Sequence, residues 1–293
     1  MQNINLIYNS AYSYKKIGDK KFMLTITDKE FRKLADFIKY NYGIYLKDEK
    51  RSLLTGRLNN LLIQKKFGSF SEYIDYIVYD STGEATIELI DKITTNHTYF
   101  MREADHFYYF RDKVLPYLVN VVRDKDLRIW SAGCSTGEEP YTLAMIMNDF
   151  FGQKKMMWDT KLLATDISDK VLKTAKNGIY TKNAIESLPA LWRLNHFKII
   201  DKENYVLSDN IKNEVIFRKF NLIDDYFPFK RDFHVIFCRN VMIYFDEDTK
   251  YKLLDQFYNK MENGSFLFIG HSESINRDMS KFKYIMPAVY RKE

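Results

Sequence analysis

The run Ser131-Ala132-Gly133-Cys134-Ser135-Thr136-Gly137-Glu138-Glu139-Pro140-Tyr141 is where chemistry is first legible. It follows a short apolar stretch and opens a helical pattern, so it sits where open α/β sheets bind ligands, beyond the carboxyl end of a strand. Its small residues let the backbone approach a ligand, although Cys134 and Thr136 spoil a clean GxGxxG. A nucleotide phosphate wants N–H groups and positive potential at a helix start. Glu138 and Glu139 would repel a pyrophosphate and suit a cationic ligand, which points away from NAD and towards S-adenosylmethionine. The plainer role for the pair is to complement the helix dipole. Thr165-Asp166 ends the next strand, where an acid typically receives two ribose hydroxyls. Phe220-Asn221-Leu222 ends a third and could meet an adenine edge. Cys238-Arg239-Asn240-Val241-Met242-Ile243-Tyr244-Phe245 ends a fourth, delivering a guanidinium and an amide, with a tyrosine a few residues on. Upstream, Thr94-Thr95-Asn96-His97-Thr98-Tyr99-Phe100-Met101-Arg102-Glu103 is dense in hydrogen-bonding groups and could fold over the cleft as a lid. His97 is a poor catalytic candidate, because no Cys or Ser nucleophile stands beside it.

Such strand ends require a sheet and covering helices. LRIWSAG (127–133), KLLATDI (161–167), EVIFRKFNLI (214–223), FHVIFC (233–238) and SFLFIGH (265–271) read as strands. Helices fit 138–151, 168–176 and 246–262, the last capped by Asp246 and stopped by Gly264. Alternating strands and helices, with runs apolar on both faces, predict a parallel sheet covered by helices. Residues 196–217 break the rhythm and predict a small antiparallel insertion. The first 100 residues read differently, as a small helical bundle. Thr27-Asp28-Lys29-Glu30 and Ser69-Phe70-Ser71-Glu72 are capping boxes. The second helix, about 50–66, should bury Leu53, Leu54, Leu58, Leu61 and Leu62 and stop at Gly68. Residues 1–25 read as a flexible extension, 26–102 as the helical domain, 103–122 as a linker helix and 123–293 as the α/β domain.

Composition excludes several classes. With 46% hydrophobic and 29% charged residues, disorder cannot dominate. No run approaches the ~18 apolar residues of a spanning helix, and the first residues lack a signal-peptide pattern. Two cysteines among 293 residues leave no disulfide scaffold and disfavour a cysteine metal site; no metal is expected. Both fall at strand ends and read as small buried apolar residues. The net charge of +6 permits an acidic partner without demanding nucleic acid. It is unevenly placed: residues 29–67 hold ten Lys/Arg against four acids, and 69–91 hold six acids with no Lys or Arg. Such segregation suggests opposed surfaces.

TTNHTYFMRE, WSAGCSTGEEPYTLAM, ATDISDKVLKTAKNGIY, FCRNVMIYFD and GHSES resemble the chemotaxis receptor glutamate O-methyltransferases, the CheR family. The resemblance runs from about residue 28 to the end of the chain. It implies an N-terminal helical domain over a class I, Rossmann-like S-adenosylmethionine domain with a β-subdomain and a reversed last strand, here YIMPAVYRK. The implied cofactor contacts are Asn96, Thr98, Arg102, Glu139, Asp166, Asn221, Leu222, Arg239 and Asn240. Of the acidic pair, Glu139 is the one that aligns. Arg102 and Tyr244 match the methyl-transfer centre. The implied reaction esterifies glutamate γ-carboxylates on the cytoplasmic helical region of methyl-accepting receptors, leaving S-adenosylhomocysteine. The implied enzyme is a cytoplasmic monomer recruited to receptor arrays, with no nucleic-acid partner and no membrane insertion.

Two departures from the family pattern stand out. Arg57 remains of an arginine-rich second helix, but Asn60, Leu61 and Ile63 are not basic. Lys50, Arg51, Lys65 and Lys66 are the expected substitutes on the receptor-facing surface. The insertion KIIDKENYVL lacks the glycine-bracketed turn of members that tether to a receptor's C-terminal pentapeptide, so no such dependence is expected. Other readings keep the fold with a nucleic-acid or small-molecule acceptor, or make the chain a non-catalytic cofactor-binding module. The first lacks an Asn/Asp-Pro-Pro-Tyr motif; against the second stand intact Arg102, Glu139, Asp166 and Tyr244. An NAD dehydrogenase is disfavoured by the acidic turn.

Overall fold

The computed structural model describes residues 24–94 and 97–293. The extension expected over 1–25 lies outside them except for its last two residues. Leu24 is already anchored: the Asn59 amide accepts its N–H (2.9 Å) and donates to its carbonyl (2.8 Å).

Four helices form the first unit: α1 (Asp28–Tyr42), α2 (Arg51–Gln64), α3 (Phe70–Tyr79) and α4 (Glu84–Ile93). Thr27 and Glu30 make the reciprocal capping box, and Phe31, Leu34 and Ile38 turn one stripe of α1 inward. α2 buries Leu54, Leu58, Leu61 and Leu62, but Leu53 is 51% exposed, one position off that stripe. α2 ends at Gln64 and Lys66, not Gly68, takes the left-handed backbone. Ser69 caps α3, yet Glu72 reaches back to the Gly68 N–H (2.7 Å) instead of completing the box at Ser69. The basic and acidic segments do not occupy opposed surfaces throughout. They meet in ion pairs Lys33–Asp75 and Lys65–Glu88, both 2.7 Å.

α5 (Ala104–Tyr109) and α6 (Leu115–Val121), joined by a π-helical turn over Phe110–Val114, lead into the α/β unit. That unit runs β1 (Ile129–Ala132), α7 (Glu138–Phe151), β2 (Leu162–Asp166), α8 (Asp169–Asn177), β3 (Ile179–Thr181), α9 (Lys182–Ile185), α10 (Ala190–His196), β4 (Phe197–Ile199), β5 (Asn204–Leu207) and α11 (Asp209–Lys212). It continues through β6 (Val215–Lys219), β7 (Phe233–Cys238), α12 (Glu247–Asn259), β8 (Met261–Ile269), β9 (Lys283–Met286) and β10 (Val289–Arg291). The main sheet has the order β6-β2-β1-β7-β8-β10-β9. Its first five strands pair in parallel, and β10 runs antiparallel to both β8 and β9.

Three expectations need correction. The small antiparallel sheet, order β3-β5-β4, recruits residues 179–181, and Val215–Lys219 belongs to the main sheet, so the insertion is not 196–217. Gly264 lies inside β8 and does not terminate α12, which ends at Asn259. The reversed last strand is a hairpin, since Pro287 and left-handed Ala288 turn the chain between β9 and β10.

The β1 and β7 strands are buried along their whole length, as a sheet covered on both faces demands. One face packs on α5 to α7 and the small sheet; the other packs on α12 and the 220–229 segment. Cys134 belongs to the first core and Cys238 to the second; both are free thiols. A third core fills the helical bundle, and Ile167, Tyr244 and Phe245 pack against it. The two units therefore meet at the carboxyl ends of β2 and β7.

Candidate functional site

A cleft opens at that meeting. The α/β unit contributes Ser135, Glu139, Asp166, Asn221, Leu222, Arg239, Asn240 and Tyr244; the segment before α5 contributes His97, Thr98, Tyr99 and Arg102. The helical bundle adds Tyr42, Ile44, Ile90, Asp91 and Thr94. Asn96 lies outside the described residues. Every other residue expected at the cofactor or methyl-transfer centre lines this one cleft.

The β1–α7 turn builds the acidic end. Glu139 accepts from Ser131 Oγ (2.7 Å) and from Arg239 Nη1 (3.0 Å). Glu138, its neighbour, points elsewhere: it is buried and hydrogen-bonded by Thr136 Oγ1 (2.7 Å). Burial pushes the Glu138 carboxyl up. The turn thus separates the two acids, leaving Glu139 in the cleft.

Asp166 closes β2. Its Oδ2 accepts the Ser135 N–H (2.8 Å) and its Oδ1 the Ser168 N–H (3.0 Å). Burial raises its carboxyl even though these amides pull the other way. Each oxygen keeps a further lone pair for a ligand hydroxyl. Ser168 caps α8, so Asp166 is left available.

Arg239 does not present its guanidinium to the cleft as an open contact. Only 2% of the side chain is exposed, and it spans Glu139 and Glu103, whose Oε2 accepts Nη2 at 3.0 Å. It also donates to the Arg102 carbonyl and stacks over Phe107. Burial alone would lift the Glu103 carboxyl; the charge and hydrogen bond of Arg239, with the Asn240 amide and His271, together reverse this and hold it below the ordinary range. Glu103, with no role expected from the sequence, is thus a hub that also accepts Asn240 Nδ2 (3.3 Å) and the His271 N–H (3.2 Å). Nearby His106 is buried, which drops its pKa to about 4. Donor atoms of Glu103, His106 and His271 lie within 4.8 Å of one another. The guanidinium already sits on the Glu103 carboxylate there, which disfavours a cation.

Asn221 holds the two units together through Nδ2 on the Asn41 carbonyl (2.9 Å). Tyr244 is held the same way: the Tyr45 N–H donates to its carbonyl (2.7 Å), and Ile44 bridges Phe245. Gly43 makes this approach possible. It has φ +70, and a Cβ there would stand 2.5 Å from Ile223 Cγ2. Lys39 and Asp246 add an ion pair at 2.6 Å. The wall formed by Tyr42, Ile44 and Asp91 was not legible in the sequence. The Arg102 guanidinium donates to the His97 carbonyl, and His97, Thr98, Tyr99 and Arg102 line the cleft.

Of the basic surface residues, Arg51 pairs with Asp28, Arg57 donates to the Ile93 carbonyl (2.7 Å) and Lys65 pairs with Glu88. Lys50 and Lys66 are exposed.

The acids lining the cleft, Asp91, Glu139 and Asp166, outnumber its guanidiniums, Arg102 and Arg239. Arg239 is already spent on Glu103 and Glu139, so the cleft suits a cation such as a sulfonium and amino group better than a pyrophosphate. The residues present therefore fit S-adenosylmethionine.

Comparison with known proteins agrees. Residues 96–290 match the model described as CheR methyltransferase, SAM binding domain, and residues 29–94 match CheR methyltransferase, all-alpha domain. A chemotaxis protein methyltransferase of Borreliella burgdorferi is 42% identical over 92% of this chain and 96% of its own length. A probable chemotaxis protein methyltransferase of Rhizobium etli is 36% identical over 80% and 88%, and one from Vibrio parahaemolyticus 33% over 89% and 95%. No helix of the described residues is long and apolar enough to cross a membrane. With both domains matched in order and the sheet-end cleft fitted to its cofactor, the chain belongs to the CheR methyltransferase family and is an S-adenosylmethionine-dependent methyltransferase of the chemotaxis type.

Proposed function

We propose that the protein esterifies the γ-carboxylate of glutamates on the cytoplasmic helical region of chemotaxis receptors. The observation that carries this reading is the convergence of Arg102 and Tyr244 on one acidic cleft from separate parts of the chain. S-adenosylmethionine supplies an electrophilic methyl on a positive sulfur. Glu139 and Asp166 would hold its amino group and ribose, with Asn96, Thr98, Asn221, Leu222 and Asn240 completing the contacts. Arg239 acts mainly by fixing Glu139.

A glutamate acceptor, with a reference pKa of ~4.3, is ionised at neutral pH and needs no general base. Its weakness as a nucleophile is its hydration. The apolar side chains of Ile44, Ile90, Phe107, Leu222 and Phe245 in the cleft favour its desolvation. The Arg102 fork is suited to aim one carboxylate oxygen, and the Tyr244 hydroxyl to orient it. The receptor face is proposed to be the exposed edge around Lys50 and Lys66, with Arg51, Arg57 and Lys65 stiffening it through their internal partners.

Recruitment through a receptor C-terminal pentapeptide is not part of the proposal. The β4–β5 turn contains no glycine and is closed by Asp201, which accepts the Glu203 and Asn204 N–H groups (both 2.8 Å). The monomer is proposed as the working form. Transfer of labelled methyl to receptor fragments tests the reading: base-labile label on glutamate is expected, and base-stable label would refute it.

A further inference from the structure

Glu273 lies in the GHSES run after β8 and is only 9% exposed. A buried carboxylate is costly unless its charge is answered. Here backbone N–H groups answer it, not a cation. Oε2 accepts Asn240 N–H (2.9 Å) and Gly270 N–H (2.5 Å), and Oε1 accepts Ile243 N–H (3.1 Å). Two of these three donors belong to the loop between β7 and α12 that carries Asn240 and Tyr244. The third belongs to the loop after β8, so one side chain clamps the two strand ends together.

The clamped backbone needs holding. Asn240 adopts φ +59, a left-handed conformation that a non-glycine residue populates reluctantly. Gly270 has no Cβ, and one placed there would meet Asn240 Nδ2 at 2.3 Å and Asn240 N at 2.8 Å. The two loops therefore pack backbone to backbone, with the Glu273 carboxylate between them. A carboxylate has enough lone pairs for all three donors; an amide would turn N–H towards N–H.

We infer that Glu273 is a positioning residue for methyl transfer, fixing the 240–244 loop so that Tyr244 meets the acceptor in the cleft. The inference rests on the reading of Tyr244 under the proposed function. It is tested on the full chain with Glu273→Gln, Tyr244→Phe and the double variant, measuring kcat for methyl transfer, cofactor affinity by calorimetry and the urea midpoint. Glu273→Gln is expected to lower kcat roughly tenfold to a hundredfold, the range for small misplacements of reacting groups. The double variant should then fall no further than about threefold below the slower single variant, because two residues acting through one group are not additive.

If the two effects multiply, or if Glu273→Gln lowers only the urea midpoint while Tyr244→Phe slows turnover, the positioning role is overturned and the reading of Tyr244 survives. Wild-type kcat in Tyr244→Phe overturns that reading and the positioning role with it. Should Glu273→Gln not fold, Glu273→Asp keeps the charge, withdraws the oxygens by a methylene and carries the same expectations.

Discussion

Replacing Arg239 by Met removes a guanidinium with two buried duties. Its side chain is 2% exposed, and it holds Glu103 and Glu139, each 14% exposed, at 3.0 Å. Met fills much of the space over Phe107 but leaves two carboxylates facing one another. Oxygens bound to opposite ends of one guanidinium lie at most roughly 8 Å apart, so at an effective dielectric of about 20 their repulsion is at least about 2 kcal/mol. Each also loses the partner that offset its desolvation. Together these give about 3–5 kcal/mol, the usual result of stripping one member from a buried ion pair.

The pH dependence carries the sign. In the native protein, burial raises Glu103, but Arg239 first, then Asn240 and His271, together outweigh it, so the carboxyl lies below its ordinary range. That contribution is present above the unfolded pKa and is lost as pH falls through the folded one. Without Arg239, burial and the like charge of Glu139 are opposed only by the hydrogen bonds from Asn240 and the His271 N–H, and the folded pKa is expected above the unfolded value. The variant is then penalised at neutral pH and relieved as pH falls. The stability gap should therefore narrow between about pH 7 and pH 5. Urea unfolding, followed by tryptophan fluorescence with Trp130 buried in β1 as a reporter, measures both points. Adding Glu103→Gln should recover part of the loss at pH 7. A loss under about 1 kcal/mol at pH 7, or an equal gap at both pH values, would refute the account of Arg239 as a buried bridge.

Asp166→Asn should weaken cofactor binding about tenfold or more, as expected for hydrogen bonds to a charged acceptor, with turnover at saturation largely retained; calorimetry showing an unchanged affinity counts against its ribose role. Arg102→Ala should sharply lower turnover, and near-normal methyl transfer with bound cofactor would remove it from the acceptor site. Gly43→Ala places a Cβ against Ile223 at a positive φ and should cost about 1–3 kcal/mol in unfolding experiments; a neutral result would show that the α1 turn can move away. Methylation of receptor fragments should slow severalfold as salt rises from about 0.05 to 0.5 M, through screening of the exposed basic edge, and a flat profile would dispose of an electrostatic acceptor surface.

Local signals carried far in this chain. Thr27, Ser168 and Asp246 cap their helices as their types suggest, and β7 covers the 233–238 run read from its apolar residues. The strand ends brought Glu139, Asp166, Asn221 and Arg239 to one cleft because a parallel sheet aligns all such ends on one edge. Failures came where packing outranked local preference. Gly264 reads as a helix stop, but its position opposite Tyr117 and the Lys292 carbonyl keeps it within β8. The partnership of Arg239 with Glu103 went unread because nothing local reveals a residue 136 positions away in sequence. Tyr42, Ile44 and Asp91 were illegible for the same reason, since their place in the cleft depends on how the bundle docks.

That docking has a mechanistic consequence. Tyr244 sits on a short 3-10 turn, a weak element with poor hydrogen-bond geometry of its own. Its backbone is instead held from the bundle by Tyr45 N–H and the Ile44–Phe245 bridge, while Asp246 just beyond it is tied to Lys39. Burial would lift the Asp246 carboxyl, but hydrogen bonds from Lys39 and Thr249 outweigh it and hold the pKa at about 2. The pair therefore stays charged across the neutral range and well below it. The same aspartate caps α12, so one residue fixes both the helix start and the bundle. The bundle is thus more than a cover or a receptor-facing surface. It supplies one wall of the cleft and holds the backbone around Tyr244, so under the proposed function an acceptor entering the cleft would meet a tyrosine whose position the bundle helps to set.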